Sequence, residues 1–202
     1  MKRLVNMEKF FERYPNTPQG KTSSVRFSDI RFLKAKEQAA KPTVAVEVIA
    51  QHVNDFLQKM GMKPIENPIY SLNDIKIEAN IPKIDYKNIQ KQFNLNSKSD
   101  IVWMKFTQDG YLGVVAVSND INFDYPASSD AYNEKTTSGK WLHFTSGILI
   151  HKLNKKWDTS FVLLFPLANI PKPYTRGDIE TAIGNYLIAQ NIPIIDFYSH
   201  NY

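Results

Sequence analysis

The chain is predicted to be an α+β fold. It should hold an antiparallel sheet of about five strands, packed with helices from the N-terminal half and one C-terminal helix. Three observations carry this. The apolar rhythm is helical, near 3.6 residues, up to about residue 98 and two-residue from 100 to 170. Asp109-Gly110 lies between two β-rich runs, a strong short-range hairpin signal because the turn needs positive φ. Phe161-Val162-Leu163-Leu164-Phe165 is apolar on both faces, as expected of a central strand covered on both sides.

The elements follow in order. Leu4, Met7, Phe11 and Tyr14 share one face of a helix expected over Lys2–Tyr14, which Pro15 stops. A short helix is expected over Ser28–Ala40, with Ser28 as its cap. Thr43–Met60 is the clearest early helix, with Ala45, Ile49, His52, Phe56 and Met60 on its apolar face, widened by Val48, Val53 and Leu57. Gly61 ends it. Residues 63–83 read as irregular with a short strand at Ile75–Glu78, and Tyr86–Phe93 as one more short helix.

Ile101–Thr107 and Tyr111–Val117 form the first expected hairpin, and Trp141–Leu153 with Thr159–Leu167 a second around Asn154. Asp178–Gln190 is the last helix, with Thr175 and Asp178 spaced as a capping box. Ile192–Tyr198 is the expected closing strand. A chain of 202 residues suits one domain. It would have a basic, partly helical segment at 1–41, a helical and irregular stretch at 42–98 and a sheet-forming part at 100–202.

Composition excludes several chemistries. With no cysteine, there are no disulfides, thiol nucleophiles or thiolate metal sites. The uncharged runs Thr159–Pro171, with two prolines, and Thr181–Ile195, with one, both fall short of the roughly 18 apolar residues of a membrane-spanning helix. Glu8, Lys9, Glu12 and Arg13 interrupt any signal-like apolar stretch, so a cytoplasmic protein is expected. Net charge is +5, and residues 1–41 carry 10 Lys and Arg against 4 Asp and Glu. The excess positive charge therefore sits in the first fifth of the chain.

The first expectation for function is a non-catalytic binding or regulatory module. Its basic N-terminal segment would contact a partner protein or nucleic acid through Lys2, Arg3, Lys9 and Arg13, with Phe11 and Tyr14 on the apolar face. No cofactor is needed for that role. The alternative is a hydrolase or nuclease assisted by a divalent metal ion, built on Asp178, Glu180, Asp196 and His200. Asp196 and His200 share a face of an extended strand, and Asp178 and Glu180 lie in the first turn of a helix.

Weaker patterns fall away on their departures. Gly20-Lys21-Thr22 matches the end of a phosphate loop, but Pro15 and Pro18 remove N–H groups such a loop needs. Asp120, Asn122 and Asp124 alternate like the start of a calcium loop, but Tyr125 stands where its Gly belongs. Trp103, Tyr111, Trp141 and Trp157 would stack bases or sugars if exposed, and are core if buried.

Overall fold

The computed structural model describes residues 7–12, 29–72, 77–78, 81–82, 84–121, 123 and 146–197. A 3₁₀ turn at Glu8–Phe11 comes first. Helices α1 (Asp29–Ala39) and α2 (Val46–Lys59) lead into strand β1 (Ile69–Ser71). A small ribbon follows, β2 (Ile77–Glu78) against β3 (Ile81–Pro82), and then helix α3 (Tyr86–Gln92). Strands β4 (Asp100–Phe106) and β5 (Leu112–Asn119) precede helix α4 (Ser146–Lys152), strand β6 (Phe161–Leu167) and helix α5 (Arg176–Ala189). The fold is α+β. Its main sheet is antiparallel and four-stranded, in the order β1-β6-β4-β5.

Local chemistry explains most of these elements. Gly110 has φ +88° in the β4–β5 turn, where the Gly110 N–H donates to the Thr107 carbonyl at 2.8 Å. β6 lies between β1 and β4, and Val162 to Phe165 are all buried, so its two apolar faces each meet a layer. The Asp178 N–H donates to Thr175 Oγ1, while the Asp178 carboxylate accepts from the Thr175 N–H. This is the predicted capping box. The chain leaves α5 through Asn191 at φ +61°.

One sheet face carries Val102, Met104, Val115, Leu163 and Phe165 against α2 and α5, which contribute Ile49, Val53, Phe56, Ile179, Ile183 and Leu187. The other carries Tyr70, Ile101, Trp103, Val114, Val162 and Leu164 against Ile89 and Phe123. A third cluster joins α1 and α4 through Ala35, Leu149, Ile150 and Ile195, with Phe32, Tyr111 and Trp157 beside it.

Two expected strands are not strands. In the described part of 141–153, residues 146–152 are α4. Leu149, Ile150 and Leu153 stand at i, i+1 and i+4, a helical face that packs on Ala35 and Ile195. A short apolar run satisfies both periods, and here the partner surface decided. Ile192–Phe197 makes one parallel bridge, Ile194 to Leu112, and then turns. Pro193 brings no N–H to a ladder. β1 was not foreseen within the irregular 63–83 stretch. Val48 is also out of place, 45% exposed rather than on the buried stripe of α2.

Candidate functional site

The described part of the N-terminal apolar stripe packs inward. Met7 and Phe10 belong to the core, and Phe11 stacks on Tyr174 with ring centroids 3.9 Å apart. Asn185 Nδ2 donates to the carbonyls of Phe10 and Glu12, fastening the turn to α5. An apolar stripe is used wherever it finds apolar surface first, and α5 supplies it in the same chain. Phe11 is half-buried and packs within the chain. Lys9 is exposed, with its ammonium 4.9 Å from the Phe10 ring centroid. Lys2, Arg3, Arg13 and Tyr14 lie outside the described residues, as do Gly20, Lys21 and Thr22.

Of the C-terminal candidates, Asp178 and Glu180 lie near the start of α5 and Asp196 lies beyond its end. Asp178 spends its carboxylate on the Thr175 cap, and Glu180 is half-buried two residues further on. The neighbouring Arg176 pairs with Asp100 at 2.9 Å, which places this end of α5 at the start of β4. Asp196 lies at the other end, where its N–H donates to the Gly113 carbonyl beside Lys105. About 16 Å of strand separates Asp100 from Lys105. His200 lies outside the described residues. Among the described residues no three His, Asp or Glu side chains gather where they would hold a metal ion.

Asp196 instead belongs to a buried polar node that the sequence reading missed. It is 1% exposed and accepts a 2.6 Å hydrogen bond from the Ser146 hydroxyl at the start of α4. Lys105 is fully buried in β4, its ammonium 4.3 Å from the centroid of the Trp157 ring. That ring lies so close over Gly113 that a methyl group there would stand 2.2 Å from Trp157 Cζ3. A buried ammonium needs compensation from charge, hydrogen bonds or π-density, and the ring face supplies part of it. The signal was present in the sequence as a single lysine inside the run Asp100-Ile-Val-Trp-Met-Lys-Phe106.

A second assembly gathers lysines near the surface. α1 brings Lys34 and Lys36, the chain just past it Lys41, and the end of α4 with its turn brings Lys152, Lys155 and Lys156. Lys36 and Lys152 both approach the half-buried ring of Phe32, at 5.9 and 5.7 Å from its centroid. Lys155 sits 4.0 Å over the Tyr111 ring and pairs with Asp109 at 2.5 Å. The Tyr111 hydroxyl donates to the carbonyls of Ala39 and Lys41, tying the hairpin turn to the end of α1. Among the described residues the acids nearby are Glu37, paired with Lys34, together with Asp109 and Asp158. Burial raises the carboxyl pKa of Asp109, but the hydrogen bonds from Lys155 and Thr107 and the Lys155 charge outweigh it and hold it below its ordinary value.

The remaining candidates are placed without converging. Trp103 is buried against Phe123, Trp157 is half-buried over Gly113, and Trp141 lies outside the described residues. Asp120 is buried, with one carboxylate oxygen accepting from Gln90 at 3.4 Å, while Asn122 and Asp124 lie outside the described residues. No described helix is long and apolar enough to cross a membrane. Compared with protein-family models, curated proteins and solved structures, the chain matches none.

Proposed function

We propose that this protein is a non-catalytic binding module that holds nucleic acid on the lysine-rich face formed by α1 and the α4–β6 turn. The observation that carries the reading is the meeting of Lys36 and Lys152 at one Phe32 ring, from segments far apart in sequence. Positive charge gathered on one face from two distant segments raises the local potential and attracts an anionic ligand. The face extends the expected basic segment rather than replacing it, since Lys34, Lys36 and Lys41 belong to residues 1–41.

The chain has only five arginines, and the described part of this face is built on lysine. Lysine meets phosphate as a point charge, without the bidentate fork that reads guanine. Binding is therefore to the backbone, sequence-independent and steeply salt-dependent. The metal-assisted alternative asks one cation to join Asp178 and Asp196 from opposite ends of α5, so the binding reading is preferred.

The test is fluorescence anisotropy with labelled oligonucleotides of differing sequence, titrated with salt. The expected result is a linear fall of log affinity with log salt, the same for each sequence. The Lys36→Glu/Lys152→Glu double substitution should flatten that slope by about two, at ~0.7–0.9 per phosphate contact. Both side chains are exposed, so the variant should keep its fold. Absence of binding at low salt, or an unchanged slope in the double variant, overturns the proposal.

A further inference from the structure

At the end of the sheet remote from the Lys105 node, three connections enclose a cleft of about 660 Å³. One wall is the chain leaving α2 at Lys63–Glu66, the second is the exit from α3 at Gln92–Asn96, and the floor is the end of β6 at Pro166–Leu167. Its volume falls within the ~300–1,000 Å³ of small-ligand sites.

The walls are held before any ligand arrives. Asn54 grips Ile65 from both sides, its amide donating to the Ile65 carbonyl and accepting from the Ile65 N–H, each at 2.8 Å. On the opposite wall, Asn94 takes a left-handed φ of +50° and the Leu95 N–H returns to the Gln90 carbonyl at 2.8 Å. Phe93 and Leu95 stay half-buried there as apolar lining.

The floor has an unusual polarity. β1 pairs with β6 as far as Ile69 opposite Leu163, and the Leu164 N–H donates to the Pro68 carbonyl. Beyond that point the chain before β1 leaves the sheet. Pro166 lies two residues past Leu164, so its backbone points to the same side, now toward the cleft. Proline has no N–H, so at Pro166 the edge offers a carbonyl acceptor without a donor. A ligand seated here must bring N–H groups.

The charges on the rim narrow the ligand further. Lys63 and Glu66 are exposed, and neither makes a hydrogen bond or ion pair among the described residues. They are the one cation and the one acid of the lining, at most about 11 Å apart along the backbone. Gln92, Asn94 and Asn169 add side-chain amides that are likewise without hydrogen bonds among the described residues. One positive charge, one negative charge, a carbonyl acceptor at Pro166, three amides and an apolar lining match one ligand class.

We propose that this cleft binds a short apolar peptide with free termini, of two or three residues. Its ammonium meets Glu66 and the Pro166 carbonyl, its carboxylate meets Lys63, its amide groups meet Asn94 and Asn169, and its side chain covers Phe93 and Leu167. The site is separate from the basic face and does not depend on it.

The experiment is isothermal titration with Ala-Leu-Ala and with its N-acetylated and C-amidated forms, against the wild type, Glu66→Ala and Lys63→Ala. The expected result is saturable binding of the free tripeptide. Acetylation and amidation should each weaken it about threefold, the worth of one exposed ion pair. The acetylation effect should vanish in Glu66→Ala and the amidation effect in Lys63→Ala. Failure to bind at millimolar peptide, or binding indifferent to both caps and both substitutions, overturns the proposal.

Discussion

Replacing Gly113 with alanine tests the architecture of the buried node. Gly113 needs no special backbone, so its missing side chain matters only for space. The added Cβ would stand 2.2 Å from Trp157 Cζ3, 2.7 Å from Cη2 and 3.3 Å from the Lys105 carbonyl oxygen. The indole cannot stay where it is. Displacing it incurs an overpacking cost of about 1–3 kcal/mol. It also lifts π-density from the fully buried Lys105 ammonium, worth ~2 kcal/mol for a desolvated pair. The lower entropy of the unfolded alanine chain returns about 0.4–1 kcal/mol. The net loss is roughly 2–4.6 kcal/mol, which for a chain of this length lowers Tm by about 4–18 °C. Urea unfolding followed by circular dichroism and tryptophan fluorescence measures it. Trp157→Leu supplies the control, because a smaller side chain leaves room for the methyl group. A double-mutant cycle should therefore show a coupling above ~1 kcal/mol, with the alanine far less costly in the leucine background. If Gly113→Ala leaves the urea midpoint unchanged, or costs the same with and without Trp157, the close approach of ring to strand is wrong. The account of how Lys105 is buried then fails with it.

Two further outcomes are expected. Thr175→Ala removes the N-cap of α5 and should lower stability by about 0.5–2 kcal/mol in urea unfolding, with Thr175→Ser recovering most of it. Asp109→Asn should matter above the carboxyl pKa of the unfolded chain and cease to matter in acid. Its folded pKa is depressed, so its contribution is fully present above the unfolded value and disappears as pH falls through the folded one. The Tm difference between wild type and Asp109→Asn should be flat from neutral to mildly acidic pH and close below that window; because the side chain is half exposed, high salt should shrink it throughout.

Much of the fold was legible in the chain because the controlling interactions are local. A glycine at φ +88° in the β4–β5 turn, the Thr175–Asp178 reciprocal cap and the glycine and asparagine stops of α2 and α5 act within a few residues. The sequence spacing of those groups is their geometry. The doubly apolar run in β6 was equally readable, since it has no solvated face to offer.

Other features were decided at long range. Residues 146–152 carry an apolar pattern that satisfies a strand or a helix, and the surface of Ala35 and Ile195 selected the helix. The N-terminal stripe of Met7 and Phe11 would serve a partner as well as a core, and α5 claimed it internally. Lys36 and Lys152 share a ring only because α1 packs on α4, and the Lys105 ammonium meets a ring face because Trp157 crosses a glycine. Sequence by itself determined the turns, the caps and the periods, each set by backbone sterics and hydrogen bonds between near neighbours. Tertiary structure alone decided which apolar faces found each other and which charges were left together at the surface, because burial is non-directional and rewards any complementary partner the chain can reach.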